Sequence, residues 1–226
     1  MKKYILLATA AAFFFTLPAF SDSIYILGSY VSPEGDSDIF EQNAEEVTFD
    51  VDDLNGFGAT FGYDRFVGEF VNVGASIGFY ENDTTVIDRE FEFPNGDPIF
   101  RDINLRIVPL EGNVRILPLG RETVVIPYIG AGAGIYFWEY EEFGDFVIDR
   151  FTDPRVITGT AFSDGADFGF NVHGGVQVPI SRSATITGEV KWSSVEGDLD
   201  EESFDPAFEP IDLSTVSYSA GVSFWF

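Results

Sequence analysis

Val216-Ser217-Tyr218-Ser219-Ala220-Gly221-Val222-Ser223-Phe224-Trp225-Phe226 is the stretch whose reading decides the fold. Its even positions are Val, Tyr, Ala, Val, Phe and Phe, and its odd positions run Ser, Ser, Gly, Ser, Trp. Period-two alternation of this kind is a strand with one apolar face and one face of small or polar residues. The same rhythm returns upstream. Phe57, Ala59, Phe61 and Tyr63 alternate with Gly56, Gly58, Thr60 and Gly62. Val71, Val73, Ala75, Ile77 and Phe79 alternate with Asn72, Gly74, Ser76, Gly78 and Tyr80. Ile129 to Phe137, Phe168 to Val178 and Ile186 to Trp192 repeat it.

Two further segments are less regular. Ser23 to Val31 is apolar on both faces. Residues 103–116 change phase near Pro109: Ile103, Leu105 and Ile107 follow one parity, and Val108, Leu110, Val114 and Ile116 the other. A bulge at the proline is the expected cause. The count is eight strands of about 9–14 residues each, with almost no helical periodicity. Short connections are expected near 64–69, 117–123 and 179–183, and long ones at about 32–53, 81–102, 139–166 and 193–212. Loops of about 20 residues are uncommon in compact soluble domains. Four of them at one end of an up-and-down meander make a specific pattern.

Charge follows the same division. The chain has 226 residues, 12 Lys+Arg and 38 Asp+Glu, for a formal net charge of -26. The four long connections hold 31 of the acids. Such a chain lacks the clustered Lys and Arg that a nucleic acid needs, so no nucleic-acid partner is expected. Cys is absent and His173 is the single His. That excludes disulfides, thiolate metal sites, cysteine nucleophiles and multi-histidine metal centres. Residues 1–21 read as a signal peptide: Lys2 and Lys3, an apolar run from Tyr4 to Leu17, Pro18, then Ala19-Phe20-Ser21 with small residues at -3 and -1. The run is short for an uncleaved spanning anchor. Residues 22–226 then form one barrel domain with a net charge of -28, since 10 bases remain against 38 acids.

A sheet in lipid must close on itself, with apolar residues outward and small or polar ones inward. A soluble lipocalin-like barrel would expose many Lys and Glu on its polar face. Here that face is Gly, Ser, Thr and Asn. Ser219-Ala220-Gly221-Val222-Ser223-Phe224-Trp225-Phe226 resembles the C-terminal signal of bacterial outer-membrane barrels. Pro127-Tyr128-Ile129-Gly130-Ala131-Gly132-Ala133-Gly134-Ile135-Tyr136 resembles the fifth strand of small outer-membrane barrels of the OmpX, opacity-protein and OmpA transmembrane-domain type. The resemblance implies an all-β, eight-stranded antiparallel up-and-down transmembrane barrel in the cell outer membrane of a Gram-negative bacterium, without the peptidoglycan-binding domain of full-length OmpA. It also implies long loops at the cell surface, with short turns and both termini in the periplasm. The partners it implies are outer-membrane lipid and lipopolysaccharide, and the barrel-assembly machinery acting through the last strand. A monomer is expected.

Candidate chemistry is sparse. Gly130, Gly132 and Gly134 lack the helix of a dinucleotide loop and are expected to make room for large lumen side chains. If the 179–183 turn centres on Ser181, His173 faces Glu189 and Asn171 faces Lys191. A His beside a carboxylate can serve as a general base. However, Gly175 stands where the lipid A deacylase pattern has its Ser, and Ser219 and Ser223 have no established register to His173. Arg106, Glu111, Arg115, Glu189 and Lys191 are the other strand charges; a paired polar network is expected to fill the lumen, and the phase change of the fourth strand leaves the facing of Arg106 open. Glu34-Gly35-Asp36-Ser37-Asp38 and Asp198-Leu199-Asp200-Glu201-Glu202 invite divalent cations, but neither fits the calcium-loop pattern. Phe91, Phe93, Phe143, Phe146, Phe204 and Phe208 are expected to pack the loops together or to contact a partner. The expected function is a structural or interaction role, in adhesion or surface contact, for a barrel with a largely plugged polar lumen and acidic loops. The alternatives are a porin-like channel, for small solutes or preferring cations, and a lipid-modifying enzyme. No catalytic residue, cofactor or resident metal is assigned.

Overall fold

Backbone N–H and C=O groups of a strand in lipid have only other strands to bond to. The computed structural model describes residues 22–200 and 203–226, so the expected signal peptide lies outside the described residues. β1 (Asp22–Pro33), β2 (Gly56–Phe66), β3 (Val71–Glu92), β4 (Pro98–Ile116), β5 (Ile126–Ile148), β6 (Arg155–Pro179) and β7 (Ala184–Ser194) pair antiparallel in chain order. β8 (Glu196–Gly197) and β9 (Ile211–Asp212) form a small separate ribbon. β10 (Thr215–Trp225) pairs with β7 on one side and β1 on the other, closing an eight-stranded barrel. α1 (Asp38–Glu46) and a 3-10 turn (Val51–Leu54) lie between β1 and β2.

The alternation maps onto the two surfaces of the wall. Ile26, Phe61, Ile77, Leu110, Ile129, Phe168, Ile186 and Tyr218 are exposed on the outside. Ser23, Asn72, Asn113, Asn171, Thr187 and Ser223 are buried within. The outer apolar rows run from the short turns up to Tyr30, Phe57, Phe79, Phe137 and Phe168. Beyond that level the outward side chains on β3, β4 and β5 become Glu81, Arg106 and Glu139, with Arg106 and Glu139 paired at 3.2 Å.

The long connections are not all loops. β3 to β6 are 22, 19, 23 and 25 residues long, well past the expected 9–14. Residues 81–102 are one continuing hairpin with a tip at 93–97, and residues 139–166 another with a tip at 149–154. The polar outward residues of these stretches resemble loop in composition, yet the ladder carries on into water because each strand keeps its partner.

The phase change at Pro109 has a different cause from the one expected. The β4–β5 register runs unbroken from Arg101↔Gly144 to Ile116↔Ile129, through Pro109↔Tyr136, so β4 has no bulge there. Instead the environment inverts. Below Pro109 the outer face meets lipid, and Leu110, Val114 and Ile116 are 51, 47 and 53% exposed. Above it the outer face meets water and the inner face is packed, so Ile107, Leu105 and Ile103 point inward and are buried. One straight strand therefore carries its apolar residues on opposite faces in its two halves.

What the upper inner face packs against is a dry core. Ile39 and Phe40 of α1, Val47, Phe49 and Leu54 descend from the first loop, and Val195, Phe204, Ile211 and Leu213 from the last. They meet Tyr80, Val86, Ile103, Leu105, Ile107, Tyr136, Trp138 and Tyr140 of the wall. At the short-turn end Phe66, Leu117, Ile126 and Tyr128 make a smaller apolar floor, with Trp225 against it. Ile103→Ala is expected to cost about 2–5 kcal/mol in urea unfolding from lipid vesicles. Arg106→Ala, three residues on but facing water, is expected to cost less than about 1 kcal/mol.

Candidate functional site

Between floor and dry core the lumen is filled by charge. Arg115 on β4 reaches across the barrel. Its guanidinium pairs with Asp64 of β2 and with Glu189 of β7 at 3.3 Å. It also donates to Tyr25 Oη of β1 at 3.2 Å and to His173 Nε2 of β6 at 3.2 Å. The Tyr25 and Tyr128 rings lie 4.7 and 5.2 Å from its centre. Four residues along β4, Glu111 receives Lys191 Nζ at 3.1 Å, Tyr136 Oη at 2.6 Å, Asn171 Nδ2 at 3.0 Å and Ser76 Oγ at 3.2 Å. Asn113 and Asn171 join the two layers. Six of the eight wall strands are thereby tied across the centre by Arg115 and its direct contacts.

Glycines make this crossing feasible. A Cβ on Gly130 would lie 2.8 Å from His173 Cε1 and 2.7 Å from the Val114 carbonyl, and one on Gly62 would lie 2.6 Å from Tyr25 Cε1. The expected role of the inward glycines is thus borne out at Gly130, which faces a large lumen side chain. The cavity left at the network measures about 10 Å³. That is at most the space of a single water.

His173 sits in this network on different partners from those expected. The β6–β7 register places His173 opposite Lys191 and Gly175 opposite Glu189, two residues away from the pairing that a turn centred on Ser181 implies. The turn holds residues 180–183, with Ile180 N–H donating to the Ala184 carbonyl at 2.9 Å, and this shifts the hairpin. Because Nε2 accepts from Arg115, Nδ1 carries the proton and donates to Asn171 Oδ1 at 2.8 Å. Both ring nitrogens are used. Ser219 bonds to Ser29 at 2.7 Å and Ser223 to Thr187 at 3.1 Å, so neither serine meets the imidazole.

Of the five expected strand charges, Glu111, Arg115, Glu189 and Lys191 meet in the lumen, and Arg106 faces out. Asp64 belongs to the network too, although its position beside Arg65 reads as the start of a turn; the inward parity of Gly58, Thr60 and Gly62 would have placed it. A second ion-pair cluster pins α1 in the long-loop mouth. Arg101 pairs with Glu142 at 2.9 Å and donates to Asn43 Oδ1 at 3.0 Å. Asn43 Nδ2 reaches Glu142 at 2.7 Å. Burial, with the Glu142 charge beside it, pushes the Tyr140 hydroxyl pKa well up, and that hydroxyl donates to Glu142 at 2.6 Å.

Residues 34–38 are tied to β7, to β9 and to the last loop. Glu34 accepts from Trp192 Nε1 at 3.1 Å, Asp38 from the Glu209 amide at 3.1 Å, and Asp212 from the Asp36 amide at 3.4 Å. Glu201 and Glu202 lie outside the described residues. Phe204 packs on Tyr140 at 5.8 Å, Phe208 lies against the dry core, and Phe146 and Phe91 lie under Arg101 and Arg150. Phe204 and Phe208 pack the last loop onto the core, whereas Phe91 and Phe146 stand on strands β3 and β5. Phe143 remains 53% exposed.

The projecting part of the wall, β3 to β6 above the apolar band, has two edges. The β3 edge is covered: Val47 bridges Asp88, and Thr48 N–H donates to the Ile87 carbonyl at 2.8 Å. The β6 edge is not. β7 leaves β6 at Phe170↔Ser194, while β6 and β5 stay paired up to Ile148↔Arg155. Among the described residues, Asp200 N–H to Ser163 Oγ at 3.0 Å is the outermost hydrogen bond on that side, and Ala161 packs inward on the loop core, leaving the backbone edge of 155–162 open.

No family model matches the chain, and no curated protein is detectably similar. Solved structures are. A major outer membrane protein from Thermus thermophilus is 10% identical over 92% of this chain and 100% of its own, with a TM-score of 0.54. Neisserial surface protein A is 13% identical over 92% and 97%, with a TM-score of 0.49. Ail, the attachment invasion locus protein of Yersinia pestis, is 12% identical over 91% and 97%, with a TM-score of 0.44.

The fold is that of the small outer-membrane β-barrels. The exposed apolar rows around the wall suit a lipid surround. Arg115→Met, which strands Asp64 and Glu189 without their cation, is expected to cost about 3–5 kcal/mol of unfolding free energy. Adding Asp64→Asn and Glu189→Gln should recover most of it.

Proposed function

We propose that this protein is a surface-contact barrel, closed to solutes, that binds extended polypeptide along the free edge of β6. The uncovered edge carries the reading. An unpaired strand edge is a template for another strand, and proteins ordinarily blunt such edges with Lys, Pro, bulges or covering loops. Here the β3 edge is covered, whereas 155–162 (Arg-Val-Ile-Thr-Gly-Thr-Ala-Phe) has neither Pro nor Lys, and among the described residues its backbone edge carries no strand or loop. The long-loop end faces the cell exterior in this reading, which sets the edge away from the membrane.

Closure of the lumen supports a contact role over a channel. A solute would have to cross the dry core of loops 1 and 4, then the Arg115–Glu111 network. His173, with both nitrogens engaged and Ser219 and Ser223 bonded elsewhere, supports a non-catalytic lumen. The partner's chemistry follows from the outward side chains beside the edge. Glu139, Glu141, Asp145 and Asp164 lie there among Phe143, Val147, Val156 and Phe162. A strand with Lys or Arg alternating with apolar residues complements them.

Two measurements test the reading. Refolded protein in a planar bilayer should be electrically quiet, and stable conductance steps would sink the closed lumen. In a screen of extended ten-residue peptides, binders should be rich in alternating Lys/Arg and β-branched residues. Thr158→Lys with Thr160→Lys should weaken them by about tenfold through like-charge repulsion. Equal binding by a folded double variant would refute the edge.

A further inference from the structure

The basic residues distribute unevenly in this acid-rich chain. Ten fall among the described residues. Arg65, Arg101, Arg106, Arg115, Arg150, Arg155 and Lys191 each pair with a carboxylate. Arg89 donates to the Val47 carbonyl at 2.6 Å. Among the described residues, Arg121 and Arg182 have no carboxylate partner, although acids outnumber bases about threefold. They sit on two different short turns, 117–125 and 180–183, and line the same cavity of about 550 Å³ at the short-turn mouth.

We propose that this cavity is a binding site for a phosphate-bearing anion. Arg121 is held in place because its guanidinium stacks over the Phe66 ring, 5.3 Å from the centroid, on the apolar floor. Ser181 offers the cavity a hydroxyl donor, the Thr123 hydroxyl beside it being spent on the Val125 carbonyl at 2.7 Å, and Trp225 forms the apolar wall. Two guanidinium forks and one free hydroxyl lining the same cavity match a tetrahedral oxyanion better than a planar carboxylate, since each fork can take two oxygens. Glu122 also lines the cavity and opposes an anion, so the arginines carry the selectivity. The floor of Phe66, Leu117, Ile126 and Tyr128 keeps the site apart from the Arg115 network, so an anion there stays at the mouth. The phosphate has two sources on this side of the membrane: the headgroup of an inner-leaflet lipid reaching over the rim, or a free phosphate in the periplasm.

The test uses the whole refolded barrel, with the heat-dependent gel shift as the folding check. Calorimetric titration with inorganic phosphate in zwitterionic detergent reads the free-ion source. Native mass spectrometry after release from phosphatidylglycerol bilayers, against phosphatidylcholine bilayers, reads the headgroup source. Saturable one-to-one binding in either arm is expected. It should be weakened about tenfold or more in Arg121→Gln/Arg182→Gln and strengthened about threefold in Glu122→Gln, which removes an opposing charge. Phosphate uptake would assign the free ion, and lipid retention alone would assign the headgroup. Failure of both arms, or undiminished binding by the folded double variant, would overturn the site.

Discussion

Every feature of this molecule depends on one constraint, that a sheet in lipid has no water to satisfy its backbone. The β1–β10 pairing answers it by joining the two ends of the barrel sequence, from Ser23↔Trp225 to Pro33↔Thr215. Once the ring is closed at eight strands, its interior is only wide enough for side chains. The interior must then be filled, and polar fillers must satisfy one another. The Arg115 and Glu111 layers follow from that requirement. A charge excluded from water is tolerated when several partners surround it, and Arg115 has carboxylates, phenols and an imidazole around it.

Above the membrane the constraint lapses and the same wall obeys the rules of a soluble protein. Outward residues become charged, inward ones become large and apolar, and two loops fold into the mouth as a core. β4 shows both regimes in one strand, on either side of Pro109. The ion-paired Arg101–Glu142–Asn43 cluster fixes α1 there, as Arg115 fixes the wall below. The barrel is therefore stiffened by dry packing at both ends and by charge between them. Among the described residues, what remains uncommitted lies at the extremities: a strand edge at one end and two arginines without a carboxylate partner at the other.

Much of this is legible in residue order. Period two is a local property, so alternation locates the lipid-facing rows, and small inward residues beside Gly130 signal a crowded lumen. Phe204 and Phe208 stand out as aromatics in an acidic loop, and packing between loops is one of the two roles such residues suggest. Composition misleads where it changes without a change of structure. Glu81, Asp83, Glu139 and Glu141 read as loop because charged residues ordinarily mark one, yet they decorate strands that continue in water. The apolar switch at Pro109 reads as a bulge because alternation alone cannot tell a slipped register from an exchanged environment.

The chain by itself determined the closed eight-stranded barrel and the membrane as its solvent, because alternation, strand count and charge placement are all properties of residue order. Tertiary structure decided everything that depends on register across the lumen. A two-residue shift in the β6–β7 hairpin set His173 opposite Lys191 rather than Glu189 and gave both its nitrogens to the network. Asp64, Glu189 and Tyr25, distant in sequence, meet Arg115 only because strands on opposite walls face one another across a lumen one side chain deep. Among the described residues, the β6 edge is left without a strand because β7 ends sooner than β5, a difference between neighbouring strands that no single segment contains.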